Sequence, residues 1–262
     1  METPLRQQTG TMTSGSDIFN GITTAFVDLD DTLWWFTANS RVALAHTYSH
    51  FHIEQWEPQY DRFEHIYETR NAALWHEYHH GRITRDFLLV ERFRHVLEQV
   101  NARCDHTALS REMNDYYLDD LATLPALVPG ARELLEALHA RGMQVNVLSN
   151  GFAGVQQRKL RSGGIDHLID HMVLSDDCGI TKPRPGIFDY AMRVCQCTPE
   201  HTLMIGDDPD TDIAGAHQAG WRTIYFNGKQ RPAIAGTADL EVSTLDAITA
   251  LLTNTHSTSH SR

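Results

Sequence analysis

Aspartates gather at two distant points of the chain: Asp28, Asp30 and Asp31 at one, Asp207, Asp208 and Asp212 at the other. Each cluster follows an apolar, β-branched run, ITTAFV before the first and TLMI before the second. Ser149-Asn150-Gly151 follows a third such run, and Lys182 stands in the constrained stretch GITKPRP. Carboxylates brought to one point repel each other and need a cation to compensate. A few hard oxygens, with room left for water and a phosphate, suit Mg²⁺. Such a metal offsets the charge of a phosphoryl group and turns it toward attack. Asp28 and Asp30 are two apart and share a face of a straight strand. A turn just after Asp28 lets both reach one phosphate from different sides, one as nucleophile and the other moving protons.

These residues need a frame that brings strand ends together. Residues 22–28 read as a strand running straight into the acidic cluster. From Phe36 to Leu124 the texture is helical, with one proline (Pro58) and room for three or four helices. Within it Phe87, Val90, Phe93, Leu97 and Val100 recur every three or four residues, and Thr84 is placed as N-cap. From Val128 onward helices and strands alternate. Helices are expected at 131–141, 152–161, 185–197 and 213–219, and strands at 144–149, 172–174, 202–205 and 223–226. That alternation implies a parallel sheet with helices on both faces, an α/β Rossmann-like core into which the helical block is inserted. In open α/β sheets ligands sit beyond the carboxyl ends of the strands, where all the clusters above fall.

FVDLDDT, VLSNG, TKPRP and MIGDDPDTD, in that order and each after an expected strand, resemble the four motifs of haloacid dehalogenase-like (HAD) phosphatases. The resemblance covers roughly 20–35 and 125–230 and implies a division of labour. Asp28 would form an aspartyl-phosphate; Asp30 would protonate the leaving oxygen and then activate water. Ser149, Asn150 and Lys182 would hold the phosphoryl group. Asp28, the Asp30 carbonyl and Asp207 would hold Mg²⁺, with Thr32, Asp208 and Asp212 in support. Asp28 to Ser149 is 121 residues and Ser149 to Lys182 only 33, so the insertion falls between the first two motifs, as a helical cap. The segment LWWFTANSR is similar to a subgroup of nucleotidases acting on pyrimidine nucleoside monophosphates. Trp34, Trp35 and Phe36 would there offer an aromatic wall to a base, or else pack cap against core.

The expected organisation is a disordered leader (1–20), the core (21–35 and 125–252), the cap (36–124) and a disordered tail (253–262). A formal charge of −12, from 22 basic and 34 acidic residues without a basic block, argues against a nucleic-acid polymer or an anionic membrane as partner. No stretch approaches the roughly 20 apolar residues of a membrane span. Four scattered cysteines suggest no disulfide framework, which fits a reducing cytoplasm. The expected function is hydrolysis of a small phosphorylated metabolite, a nucleoside 5′-monophosphate first and a phosphosugar, by phosphatase or mutase, as the alternative. A dehalogenase is disfavoured because that branch typically lacks the second aspartate, here Asp30. A catalytically silent binding protein would need a lost motif position, and none is lost. His76-Glu77-Tyr78-His79-His80 matches the helical zinc motif HExxH of metalloproteases. Among 16 histidines a chance match is easy, and Gly81 is placed to end the helix at His80.

Overall fold

The computed structural model describes residues 17–232 and 238–254. Six strands form one parallel sheet in the order β3-β2-β1-β4-β5-β6: β1 (Thr24–Val27), β2 (Gln144–Ser149), β3 (His171–Leu174), β4 (Thr202–Gly206), β5 (Arg222–Phe226) and β6 (Leu240–Val242). Every residue of β1 and β4 is buried, as expected of parallel strands covered on both faces. Helices α5 (Ala131–Ala140), α6 (Ala153–Ser162), α7 (Ser175–Cys178), α8 (Pro185–Cys195), α9 (Ala214–Gln218) and α10 (Leu245–Asn254) complete the core. The chain winds from β1 through β2 to β3 on one side, then crosses to β4, β5 and β6 on the other. The crevice at that reversal lies beside β1. Val27 pairs with Val147 and with Ile205, so Asp28, Ser149 and Asp207 leave the sheet at neighbouring points.

Between β1 and α5 lie four helices, α1 (Phe36–His50), α2 (Tyr60–His79), α3 (Arg85–Gln99) and α4 (His106–Leu121). Thr84 caps α3 by accepting from the Phe87 N–H, and Asp105 caps α4 by accepting from Thr107 and Ala108. The apolar stripe of α3 is rotated from the one expected. Leu88, Phe93, Val96 and Leu97 are buried, whereas Phe87 is 47% exposed, because α2 and α4 both pack on this helix. The two crossings between the helical block and the core run side by side: Trp35 N–H donates to Ala126 O (3.0 Å), and Val128 N–H to Leu33 O (2.9 Å).

Several local expectations are corrected. β6 and α10 were not anticipated; β6 is three residues long and only partly buried, so its pattern is faint. The helix expected at 213–219 starts as a π-helical turn at Pro209–Ile213 before α9. Asp17–Phe19, within the expected leader, forms a 3₁₀ turn with Ile18 and Phe19 buried. α10 reaches Asn254, past the expected start of the tail; residues 1–16 and 255–262 lie outside the described residues. No described helix is long and apolar enough to cross a membrane.

Candidate active site

Asp28 sits one residue beyond β1, 7% exposed, its N–H bonded to Ile205 O across the sheet. Lys182 approaches from the loop before α8, and its ammonium is fully engaged. It donates to Asp28 Oδ1 (2.7 Å), Asp212 Oδ1 (2.6 Å) and Leu148 O (2.7 Å). As placed, Lys182 neutralises two carboxylates. Asn150 sets its position: its side chain accepts from the Lys182 N–H (2.7 Å) and donates to the Lys182 carbonyl (3.0 Å). That engages the Asn150 side-chain amide with the Lys182 loop, while the residue also lines the cavity described below. Ser149 Oγ accepts from Gly151 N–H (3.1 Å) and Gln156 Nε2 (2.7 Å), which leaves its own proton for an incoming oxygen.

Carboxylate oxygens of Asp28, Asp207 and Asp212 lie within 4.8 Å of one another. Burial pushes the Asp207 carboxyl up to about 7, against the pull of Lys229. Burial likewise raises Asp28 and Asp212, and Lys182 offsets only part of it. Burial alone would lower the Lys182 ammonium, but Asp212 and Asp28 outweigh it and hold it above its ordinary range. Lys229, just after β5, binds Asp31 Oδ2 (2.7 Å) and Asp207 Oδ2 (3.1 Å). Three crowded, hard carboxylates whose burial penalty exceeds the local positive charge are a donor set that fits Mg²⁺.

The Asp30 side chain does not join that group. Its carboxylate takes hydrogen bonds from Lys159 Nζ (2.7 Å) and Gln156 Nε2 (2.9 Å), so any share it has in a metal is through its carbonyl. Asp212, placed in support by the sequence, is more central than expected. Asp208 caps the turn at 209–213, accepting from the Asp210 and Thr211 N–H groups. Asp31 takes both the N–H and the hydroxyl of Thr37 (2.7 Å each), tying the start of α1 to this rim. The Thr32 hydroxyl is buried with no hydrogen-bond partner.

Core and helical block enclose a cavity of about 440 Å³ that reaches Asp28, Asp30, Ser149, Lys182 and Asp207 from below and Phe36, Tyr67, Asn71, Trp75 and Arg92 from above. Of the three aromatics proposed as a wall, Phe36 alone lines it. Trp34 is fully buried, with Nε1 bonded to Leu124 O (3.0 Å) and Lys159 Nζ 4.7 Å from its ring, and so packs cap to core. Trp35 faces a separate cavity. The HExxH residues assemble no metal site. Glu77 is paired with Arg82, the His80 ring bonds the His76 carbonyl (2.7 Å), and the helix ends at His79.

Gln156, Lys159 and Lys229 were missed by sequence reasoning. The signal for Lys229 was available, since reading past the end of the fifth strand as past the first four leads to it. Gln156 and Lys159 carried only a three-residue spacing on a helix, the commonest spacing on any amphipathic surface.

A parallel sheet with its acidic and basic side chains converging at the reversal beneath a helical insert defines a Rossmann-like α/β core with a helical cap. The chain matches the model of the haloacid dehalogenase-like hydrolases over residues 22–220 and belongs to that family. It is 32% identical over 144 residues to the pyrimidine 5′-nucleotidase YjjG of Escherichia coli, covering 54% of this chain and 63% of that protein. Against the glyceraldehyde 3-phosphate phosphatase of Methanothermobacter thermautotrophicus it is 35% identical over 126 residues, 47% of this chain and 56% of the relative. The matched stretches thus span less than two thirds of these relatives. In structure it resembles the HAD-hydrolase YfnB of Bacillus subtilis, solved bound to magnesium, with a TM-score of 0.77 and 27% identity over 88% of this chain and 99% of that one. The defluorinating L-2-haloacid dehalogenase Rha0230 (TM-score 0.71, 20% identity, 88% and 95% covered) shares the fold.

Proposed function

We propose that this chain is a Mg²⁺-dependent phosphomonoester hydrolase acting through an aspartyl-phosphate on Asp28, with nucleoside 5′-monophosphates or similar small phosphometabolites as substrates. One observation carries the reading: a buried carboxylate, Asp28, opens into the cavity, while a second, Asp30, reaches the same cavity from outside the three-carboxylate group. Phosphatase relatives of three substrate types, a nucleotidase, a phosphoserine phosphatase and a glyceraldehyde 3-phosphate phosphatase, support the reaction class.

Asp28 and Asp207, with the Asp30 carbonyl and Asp212 behind them, would hold the metal. Bound Mg²⁺ supplies positive charge to the phosphoryl oxygens. In the first step an Asp28 oxygen bonds phosphorus and the bond to the ester oxygen breaks, Asp30 giving its proton to that oxygen. In the second, Asp30 takes a proton from water, the water oxygen bonds phosphorus, and the Asp28–phosphorus bond breaks to release phosphate. Ser149 donates to a phosphoryl oxygen, and Lys182 keeps Asp28 ionised and aimed. The helical lid excludes bulk water from the intermediate.

Phosphate release from a panel of nucleoside monophosphates and sugar phosphates with Mg²⁺ tests the proposal. Asp28→Asn and Asp30→Asn are each expected to abolish release while circular dichroism stays native. Undiminished activity in Asp28→Asn, or in excess EDTA, would overturn it.

A further inference from the structure

Gln156 and Lys159, one turn apart on α6, both reach the carboxylate that stands outside the metal-type group. Lys159 is 3% exposed, and its ammonium donates to Asp30 Oδ1 (2.7 Å). The rings of Trp34 and Phe36 lie 4.7 and 5.3 Å from it, and among the described residues Asp30 is the one carboxylate it pairs with. A lysine serving only the helix surface would extend its ammonium into water. Gln156 is fully buried and donates from Nε2 to both Asp30 Oδ2 (2.9 Å) and Ser149 Oγ (2.7 Å). An ionised carboxylate only accepts, so the amide must turn its NH₂ to this side. Its Oε1 is then left buried without a partner, a cost that a stability role does not explain. The loop after β2 leaves room for the amide, since a Cβ at Gly151 would fall 2.2 Å from Gln156 Nε2. The Asp30 side chain is 31% exposed, and these two donors fix one oxygen each. Each oxygen keeps a lone pair for a proton.

We propose that Gln156 and Lys159 are positioning residues for proton transfer. They hold the Asp30 carboxylate where its proton meets the leaving oxygen, and Gln156 keeps it in register with the Ser149 hydroxyl. The inference rests on the phosphatase reading above. Neither residue bonds the substrate or exchanges a proton. Asp30 gives its proton to the ester oxygen as the bond to phosphorus breaks, and takes one from water in the second step. Lys159 and Gln156 supply the fixed geometry that both transfers need. In the first step, a misplaced acid matters only where the leaving oxygen is basic enough to require its proton.

The test is a leaving-group series of nearly equal shape, p-nitrophenyl, phenyl and p-methoxyphenyl phosphates, in wild type, Lys159→Met and Gln156→Met. p-Nitrophenolate departs without a proton, whereas p-methoxyphenolate is more basic and needs one. kcat/KM covers the steps up to departure of the leaving group, so it separates the first proton transfer from the second. In each variant the kcat/KM ratio of p-nitrophenyl to p-methoxyphenyl phosphate is expected to rise about tenfold or more. Any loss that Gln156→Met causes through Ser149 is common to the series and cancels in that ratio. The two variants decide separately, so one that fails to fold leaves the other to decide. An unchanged ratio in a variant with native circular dichroism makes the side chain structural and defeats this inference alone, provided that wild type turns the series over. No release from any ester by wild type defeats the phosphatase reading with it.

Discussion

Lys182 holds both Asp28 and Asp212 from one side chain. Its three N–H donors meet three buried acceptors, two of them carboxylates, and at 2% exposure no water stands ready to replace it. Removing one partner of a buried ionic group leaves the others uncompensated, which costs about 3–5 kcal/mol. Lys182→Met is therefore expected to lose stability on that scale, read from urea unfolding without metal at neutral pH. It should also lose phosphate release, since the ammonium that pulls against the burial of Asp28 would be gone. A variant within about 0.5 kcal/mol of wild type would show that the pair is not formed in solution.

At the scale of elements, the end of β4 and the end of α2 each depend on one residue. A Cβ at Gly206 would fall 2.3 Å from Asp212 Oδ2, and the Asp212 side chain is fixed by Lys182. Gly206→Ala is expected to displace Asp212 at a cost of about 1–3 kcal/mol, and to lower phosphate release more than Tm alone explains. A fully active, wild-type-stable alanine variant would show that the turn after β4 relaxes freely. His79, last in α2, is held at about 4 instead of 6.5 by burial, which outweighs the nearby Asp208. Its folded value is depressed, so between about pH 6.5 and 4 the unfolded chain takes up a proton that the folded chain refuses. Stability from this group is present above that window and lost as pH falls through it. His79→Gln is expected to flatten the decline of Tm between pH 7 and 4.5 relative to wild type, and parallel profiles would refute the assignment.

For the whole molecule, one part of the seam between the helical block and the core lies beside the loop after β2. Phe152, three residues past Ser149, lies between the Trp75 ring at 5.5 Å and the Arg85 guanidinium at 4.1 Å. Arg85 also pairs with Asp176 (3.3 Å), and Thr181 donates to the His79 carbonyl (3.1 Å). Phe152→Ala should populate the open lid, and a tenfold rise in KM would correspond to about 1.4 kcal/mol of lost closure. Small-angle scattering should show a larger radius of gyration, and an unaltered KM would place the closing energy elsewhere. The sequence by itself determined the parallel sheet, the inserted helices, the strand-end residues Asp28, Ser149 and Asp207, and Lys182 in its loop. Strand period and strand-end chemistry are local, so they can be read along the chain. Only the tertiary structure decided which way side chains turn once the ends meet. It separated Asp30 from the metal-type cluster by bonding it to Lys159 and Gln156, drew Asp212 in, and engaged the Asn150 amide with the Lys182 loop. It also buried Trp34. Pairings such as Asp30 with Lys159 and Asp28 with Asp212 join residues distant in the chain through packing, and no spacing along one segment encodes them.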